Sequence, residues 1–380
     1  MTPPTAMTLA EYAAGFTDDP GYFDFATWGP ISTAVAEEQR ALTDIQGRAR
    51  FGSESVLAEQ EGRVKRAVSA VTGFSTENVV FEPSTSMGLL HTAFGLTGQL
   101  VLSNREYPAL PIAVTRAAQS LRVLEPVWLR PEYGAVTPAL VREHLTSSTD
   151  AVAVSLVDYR TGYLADIEGI RQVIGDRLLI VDAIQGFGVV DAPYAMADVV
   201  VSGGQKWARA GWGTGFMALS DRALTALTPV FSGVAGTEVE LGGSYDTVGD
   251  PKLGAAGFQV SNPDPIAQGR FATALEALAE VGVPAISAAV AERASRVIDI
   301  ADEFAVPVAS SRDESERAGL VVLEPAPDQM TTLTAALMNH GVTATVRSGT
   351  VRVSVHVTTG EESFEMLRSA LTSFGSTILY

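Results

Sequence analysis

The sequence predicts an α/β protein with a large, doubly wound and mainly parallel sheet domain, followed by a smaller α+β domain. Two uninterrupted apolar runs, AVAVSLV at 151–157 and LLIVDA at 178–183, predict strands that are buried on both faces. Between about residues 100 and 202, strands of this kind alternate with helical patterns, which is typical of a parallel sheet covered by helices. In such folds, ligands bind at the carboxyl ends of the strands.

The first two thirds of the chain supply the large domain. We expect an N-terminal arm with a short helix in residues 1–20 and a brief strand at 22–25. Apolar periodicity then predicts helices at 31–51, 55–72, 84–96, 108–121, 138–145 and 167–173. Apolar runs predict strands at 79–81, 100–103, 123–129, 151–157, 178–183 and 199–202.

The pattern changes after Asp250. Two long helices are predicted at 266–281 and 284–304, and strands are predicted at 320–323, 343–347 and 351–357, before a final helix. We therefore expect a large domain at 22–255, with residues 1–21 and 256–380 forming the small domain.

The composition excludes several classes of function. A net charge of −18 over 380 residues argues against nucleic acid or an anionic membrane as a partner. The chain has no cysteine, which excludes disulfides and thiol nucleophiles, and its four histidines lack the spacing of a metal site. The first residues do not form a basic, apolar leader, and no apolar stretch approaches about 18 residues. We expect a cytoplasmic protein without a bound metal.

Three polar features follow predicted strands of the large domain. Ser84-Thr85-Ser86 opens a helix, Asp182 ends the strand LLIVD, and Lys206 follows the strand DVVVS within a glycine-rich turn. Each has a structural explanation by itself: a helix cap, a turn cap and a surface lysine. The hydroxyl cluster can equally hold a phosphate, because a helix N-terminus favours an anion, and a carboxylate in a buried strand requires a partner.

The combination of these features matches the requirements of pyridoxal phosphate. That cofactor needs an anchor for its phosphate, a carboxylate that keeps its ring nitrogen protonated, and a lysine that forms a Schiff base. The residues at 84–86, Asp182 and Lys206 meet these requirements in this order along the chain. The sequence therefore predicts a pyridoxal-phosphate enzyme acting on an amino acid.

From about Tyr22 to Leu371, the chain resembles the class V aminotransferases of fold type I, a group that includes cysteine desulfurases, C–S lyases, kynureninases and epimerase-like proteins. VDAIQGFG resembles the family's VDxAQ motif, SGGQKW its lysine motif, and STSMG its phosphate loop. The resemblance implies that Asp182 binds the ring nitrogen and that Lys206 is the Schiff-base lysine.

The resemblance also implies further cofactor contacts, some at positions that depart from the family pattern. Tyr107 replaces the histidine that stacks on the ring, Gln205 replaces the histidine before the lysine, and Asp158 replaces an asparagine. GFQVSNPDP occupies the place of a segment that reaches the neighbouring subunit's phosphate, which implies a homodimer with shared active sites. The cofactor contacts implied in this way are Thr85, Ser86, the Met87 amide, Tyr107, Asp158, Gln185, Gln205, and Ser261 or Asn262.

The substrate side of the site is implied by a strand near the C-terminus. VRVSVHV resembles the family's RxSxH motif, in which an arginine binds the substrate α-carboxylate in a bidentate pair, and Arg352 takes that position. Trp28, Arg160 and Arg209 are weaker candidates for the substrate pocket.

The reaction type is less determined than the cofactor. Without a cysteine the persulfide mechanism of desulfurases is excluded, which leaves β-elimination, transamination, epimerisation or kynureninase-like cleavage. We favour a thiol-independent C–S or related β-lyase acting on a cysteine-type substrate, by resemblance to the thiol-free lyase branch. A class V aminotransferase is the alternative. A non-catalytic binding protein of the same fold is a third hypothesis, and a preserved carboxylate-binding arginine argues against it.

Overall fold

A seven-stranded sheet forms the centre of the computed structural model, which describes residues 7–131, 134–238 and 247–378. Its strands are β1 (Val79–Phe81), β2 (Gly98–Ser103), β3 (Leu124–Leu129), β4 (Thr149–Ser155), β5 (Leu178–Asp182), β6 (Val199–Gly203) and β7 (Gly215–Leu219). Their order across the sheet is β1-β7-β6-β5-β4-β2-β3. The pairs between β6 and β3 are parallel, whereas β7 is antiparallel to both of its neighbours. The predicted large, mainly parallel sheet is confirmed.

Both faces of this sheet are buried, as the uninterrupted apolar runs predicted. In β5, Leu179 and Val181 belong to one buried apolar cluster, whereas Leu178 and Ile180 belong to the other. Alternate residues therefore face opposite layers, as the twofold periodicity of a strand requires.

Twelve helices are present in the described chain. They are α1 (Leu9–Ala14), α2 (Thr33–Arg48), α3 (Ser53–Thr72), α4 (Thr85–Gly95), α5 (Ala109–Leu121), α6 (Pro138–His144), α7 (Ile167–Ile174), α8 (Asp221–Ala226), α9 (Pro265–Val281), α10 (Val283–Glu303), α11 (Met330–Asn339) and α12 (Glu361–Ile378). Among the described residues, no single helix is long and apolar enough to cross a membrane. Only α9 and α10 taken together pass a test of length and composition, and they are bent by 85° at their junction.

The second sheet contains β8 (Leu320–Leu323), β9 (Thr345–Arg347) and β10 (Thr350–Ser354), in the antiparallel order β8-β10-β9. The segment that follows the N-terminal arm also contacts this sheet, because Tyr22 pairs with Thr343 and Asp24 with Ser354 in isolated parallel bridges. These bridges stand where the sequence predicted a brief strand at 22–25. The smaller α+β unit is confirmed, and the exact domain boundaries stay a prediction.

The structure differs from the predicted elements mainly where local chemistry sets a helix end or where a short apolar run was overlooked. α2 starts at Thr33, since the Ser32 hydroxyl accepts a hydrogen bond from the Val35 N–H (3.2 Å), and it ends before Ala49, whose φ of 45° leaves the helical region. β7, α8 and α11 were not predicted. The run in β7 is only five residues long and follows a glycine-rich loop, so its sequence carries little periodicity.

Candidate active site

The carboxyl ends of β1, β5 and β6 lie at one edge of the large sheet, because these strands run in the same direction. The segments that follow them line a cavity of about 340 Å³, within the usual range for a small-molecule site. This cavity gathers eight of the predicted site residues: Thr85, Ser86, Tyr107, Asp182, Gln185, Gln205, Lys206 and Arg352.

Thr85 stands at the first position of α4 and is buried. The preceding Ser84 caps the helix, because its Oγ accepts a hydrogen bond from the Met87 N–H (3.3 Å). Thr85 Oγ1 is buried and has no hydrogen-bond partner among the described residues. Since a buried hydroxyl without a partner is destabilising, this oxygen is open to a ligand at the positive end of the helix dipole.

Gly203 ends β6 beside Gln205 and Thr85, two of the residues that line the cavity. A Cβ atom added to Gly203 would lie 2.4 Å from Gln205 Oε1 and 3.1 Å from Thr85 Oγ1. The end of β6 therefore leaves room between the polar groups that the sequence assigned to phosphate binding.

Asp182 ends β5 and is buried. Its Oδ1 accepts a hydrogen bond from the Ile184 N–H (3.1 Å), and its Oδ2 has no partner among the described residues. Burial raises the pKa of this carboxyl, whereas the Ile184 N–H and the charge of Lys206 lower it. A protonated ring nitrogen placed at Oδ2 would supply the missing donor.

Lys206 points into the cavity, with Nζ 5.4 Å from the centroid of the Tyr107 ring. The chain contains two other lysines, and both are engaged elsewhere: Lys65 pairs with Glu61 (2.7 Å) and Lys252 donates to the Ala235 carbonyl (2.9 Å). Burial lowers the pKa of the Lys206 amine, partly offset by attraction to Asp182. Its amine is therefore more readily deprotonated than that of an exposed lysine.

Gln185 has a structural task in addition to lining the cavity. Its Oε1 accepts from the indole N–H of Trp207 (2.9 Å), and its Nε2 donates to the Ala26 carbonyl (3.0 Å). It thus ties the segment after Lys206 to the N-terminal arm. This pair of bonds orients the residue beside the lysine, since Trp207 is itself buried.

Arg352 lies in β10 with its side chain 13% exposed. Its guanidinium donates to the Tyr159 carbonyl (3.1 Å) and to the hydroxyls of Thr27 (2.9 Å) and Thr345 (3.2 Å), and Asp24 Oδ1 is 4.0 Å away. Its Nε is buried without a partner among the described residues. An arginine held mostly by neutral acceptors retains its charge for a carboxylate ligand.

Two further cavities adjoin this one and contain other predicted residues. Arg160 lines a cavity of about 420 Å³ that shares Arg347 and Arg352 with the first. A cavity of about 400 Å³, which shares Pro83, Trp212 and Gly213 with the first, is lined by Met87, Ser261 and Asn262. These four residues lie beside the central cavity, and their predicted cofactor or substrate contacts stay predictions.

The remaining candidates lie apart from these three cavities. Asp158 Oδ1 accepts from the N–H groups of Arg160 (2.7 Å) and Thr161 (2.9 Å), so its carboxylate is used in a turn. Trp28 is 44% exposed and packs edge-on against Tyr22, with ring centroids 5.9 Å apart.

Arg209 is fully buried outside the central cavity. Its Nε donates to the Pro30 carbonyl (2.6 Å), its Nη2 pairs with Asp18, and its guanidinium carbon lies 3.6 Å from the centroid of the Phe16 ring. Unlike Arg352, it has no orphaned nitrogen among the described residues, because these two hydrogen bonds and a third, from Nη1 to the Thr358 hydroxyl, engage each of its three nitrogens. The guanidinium therefore joins the N-terminal arm to the lysine loop.

Arg347 lines the central cavity but was not among the predicted site residues. The Ser348-Gly349 turn between β9 and β10, with φ values of 50° and 82°, pairs Arg347 with Thr350 and Thr345 with Arg352. Because alternate residues share a face, this register places the two arginines on the same face. A Ser-Gly dipeptide between two alternating segments was the sequence signal for this hairpin.

The residues of the cavity fit pyridoxal phosphate. The open hydroxyl of Thr85 lies at a helix N-terminus, where a phosphate binds, and the open Oδ2 of Asp182 can accept a ring N–H. Lys206 provides an amine in the same cavity.

Comparisons with known proteins agree with this geometry. The chain matches the family Aminotransferase class-V over residues 35–372. It is 26% identical over 295 residues to the uncharacterised aminotransferase YcbU of Bacillus subtilis (strain 168), covering 75% of each chain.

Solved structures share the fold at lower sequence identity. A cysteine desulfurase from Thermococcus onnurineus NA1 superposes with a TM-score of 0.82 at 19% identity, covering 92% of this chain and 93% of the desulfurase. The cystine C–S lyase C-DES, in complex with its reaction product cysteine persulfide, gives a TM-score of 0.82 at 17% identity, covering 93% and 97%. Since the family match spans most of its length, this chain belongs to the class V aminotransferases and is a pyridoxal-phosphate-dependent enzyme.

Proposed function

We propose that the enzyme is a thiol-independent C–S β-lyase that acts at Cα and Cβ of a cysteine-type amino acid. The observation that carries this proposal is the convergence of Lys206, Asp182 and Arg352 on one cavity in a chain without cysteine. A desulfurase that takes sulfur onto its own thiolate needs a cysteine nucleophile, so sulfur would have to leave here with the substrate fragment. C-DES is a C–S lyase of the same fold.

We assign each of these residues one role in binding the cofactor or the substrate. Thr85 and Ser86 would hold the phosphate, and Asp182 would keep the ring nitrogen protonated. Pyridoxal phosphate, when bound, supplies an acceptor for the electrons of the bond broken at Cα. Arg352 would bind the α-carboxylate in a bidentate pair, and Tyr107 would cover the ring.

Lys206 is the proposed base that takes the proton from Cα. Its amine lies in the same cavity as Asp182 and Arg352, and its lowered pKa increases the neutral fraction that can accept a proton. The departing sulfur group would receive a proton afterwards, and Lys206 is the only lysine lining this cavity among the described residues.

Transamination is the second candidate, and the printed name of YcbU favours it. Both reactions begin with removal of the Cα proton by Lys206. They would differ in whether the sulfur group then leaves Cβ or the amino group is passed on to a keto acid.

Product analysis of the holoenzyme decides between these candidates. With cystine or an S-alkyl cysteine and no keto acid, we expect release of pyruvate, ammonia and a sulfur-containing fragment. Amino transfer that requires a keto acid, without pyruvate release from these substrates, would establish the aminotransferase instead. The Lys206→Ala variant is the control for non-enzymatic release.

We further propose a homodimer with shared active sites. Ser261 and Asn262 are exposed and line a cavity that adjoins the phosphate segment. Light scattering of the holoenzyme should give twice the chain mass of 39.9 kDa. A monomeric mass at assay concentration with full activity would contradict the proposal.

A further inference from the structure

Four arginines meet beside the central cavity. Arg105 follows β2, Arg160 follows β4, and Arg347 and Arg352 lie on the β9–β10 hairpin. All four line the adjoining cavity of about 420 Å³, in which Glu324 is the one acidic lining residue. We call these residues the arginine cleft. Such a concentration of positive charge stands out in a chain whose net charge is −18.

The charges of the cleft are only partly neutralised. Among the described residues, Arg105 and Arg347 have no carboxylate oxygen within 4.0 Å, and both residues are exposed. Arg160 and Arg352 have carboxylates only at the limit of an ion pair, at 3.9 Å and 4.0 Å. A side chain with unshared positive charge at a cavity wall is a binding group for an anion.

Two nitrogen atoms of the cleft lack partners. The Nε atoms of Arg160 and Arg352 are buried without a hydrogen-bond partner among the described residues. The carboxylate nearest to Arg160 belongs to Asp158, whose Oδ1 is already used by backbone N–H groups. Since buried N–H groups are normally paired, these atoms point to a ligand with acceptor oxygens.

The cleft opens onto the proposed reaction site. Arg347 and Arg352 line both cavities, and the hairpin register places them on one face of the small sheet. Their charges also reach the Lys206 amine, where both lower its pKa. A substrate held by its α-carboxylate on Arg352 would therefore extend its side chain toward Arg347 or Arg160.

We propose that the substrate is an α-amino acid whose side chain ends in a second anionic group, which the arginine cleft binds through Arg105, Arg160 and Arg347. This inference rests on the proposed function only in placing the α-carboxylate on Arg352. The terminal group is an oxyanion such as a carboxylate, sulfonate or phosphate, because planar or tripodal oxygens match the guanidinium fork.

A matched pair of substrates tests the proposal. S-carboxymethyl-cysteine and S-carbamoylmethyl-cysteine have nearly the same shape and differ by one negative charge. We expect kcat/KM for the acid to exceed that for the amide by about tenfold, through the free energy of one charge-assisted contact. Arg347→Gln should remove this preference, so that the variant has similar kcat/KM values for the acid and the amide. Arg66→Gln, which removes an exposed arginine on α3 outside the cleft, should preserve it.

A binding measurement separates this inference from the proposed reaction. Glutarate and butyrate are not turned over, so their dissociation constants from the holoenzyme do not depend on lyase activity. A tighter constant for glutarate that is lost in Arg347→Gln supports the cleft even if no lyase reaction occurs. Equal constants, or equal losses for both acids in the variant, would overturn the inference even if the enzyme proves to be a lyase.

Discussion

Two buried aspartates lie at opposite edges of the same sheet. Asp198 precedes β6 at the amino edge and is saturated: its carboxylate accepts from Arg171 (2.8 Å), Arg222 (2.9 Å), the Ser220 hydroxyl (2.8 Å) and the Leu179 N–H (2.8 Å). Buried carboxylates are tolerated under these conditions, because charge and hydrogen bonds replace water.

Asp182 ends β5 at the carboxyl edge, and its carboxylate has fewer hydrogen-bond partners than that of Asp198. Among the described residues, its carboxylate accepts one hydrogen bond, from the Ile184 N–H, and its Oδ2 in the cavity has no partner. The amino edge thus contains a carboxylate used for stability, and the carboxyl edge a carboxylate reserved for a ligand. A buried polar atom without a partner needs an explanation, and for Asp182 Oδ2 a ligand in the cavity supplies one.

The largest expected effect is on kcat, and it concerns Lys206, which lies in the same cavity as Asp182. Lys206→Ala should lower kcat by at least about 10³-fold, because it removes the proposed base for the Cα proton. Unfolding by urea should show a stability close to that of the wild type. Borohydride reduction of the wild-type holoenzyme, followed by peptide mapping, should attach the cofactor to Lys206. Attachment to Lys65 or Lys252 would refute the assignment.

Replacing each of the two aspartates by asparagine, in separate variants, tests the comparison directly. Asp182→Asn should lower kcat by about 10²-fold or more, because it removes the charge proposed to keep the ring nitrogen protonated, while the free energy of unfolding changes by less than about 1 kcal/mol. Asp198→Asn should reduce the free energy of unfolding by about 3 kcal/mol, since it leaves the Arg171 charge uncompensated.

Kinetics and urea unfolding on the same preparations provide both measurements. Asp198→Asn should retain the wild-type kcat per folded molecule. If Asp182→Asn destabilises the protein more than Asp198→Asn does, the distinction between the two edges is wrong.

Arg352 and Arg209 show the same contrast between a side chain open to a ligand and one used for stability, here with a positive charge. Arg352→Ala should raise KM by about 10- to 100-fold, the value of one bidentate charge-assisted contact, with a smaller effect on kcat. Arg209→Ala should instead lower stability, because it leaves Asp18 without its guanidinium partner. Steady-state kinetics of both variants measure the difference, and an unchanged KM in Arg352→Ala would remove its proposed role.

The smallest expected effect is on the pH dependence of stability, and it concerns a third buried carboxyl, that of Glu82. Glu82 follows β1 beside His91, with Oε1 3.5 Å from Nε2, and no other described residue forms an ion pair with it. Burial raises the pKa of Glu82 to about 8 and lowers the pKa of His91 to about 4. Between about pH 6.5 and 8, the unfolded chain has already released the Glu82 proton that the folded chain retains.

The free energy of unfolding should therefore fall as the pH rises through this interval, because the folded state binds more protons. Glu82→Gln should flatten that decline. His91 does not interfere, because its contribution is lost only as the pH falls from about 6.5 toward 4. Urea unfolding at several pH values measures the slopes. Parallel curves for the variant and the wild type would show that Glu82 does not retain its proton in the folded state.

Local sequence patterns were sufficient for much of the fold and for the centre of the site. Uninterrupted apolar runs identified β4, β5 and β6, because both faces of a buried strand need apolar residues. The polar residues that end or follow strands were also visible, since Asp182 ends one apolar run and Lys206 lies in the glycine-rich turn after another. The ends of β1, β5 and β6 then meet wherever such strands run in the same direction.

Other features required the tertiary structure. β7 was not predicted, because its five residues carry too little periodicity, and the register of the hairpin that places Arg347 beside Arg352 is set by pairing. The turn that engages Asp158, and the positions of Ser261 and Asn262 beside a neighbouring cavity, were equally invisible in the sequence. The sequence by itself determined the cofactor chemistry, because that depends on residue type at strand ends. Only long-range packing decided which charges surround the substrate, because the arginine cleft joins segments more than 200 residues apart along the chain.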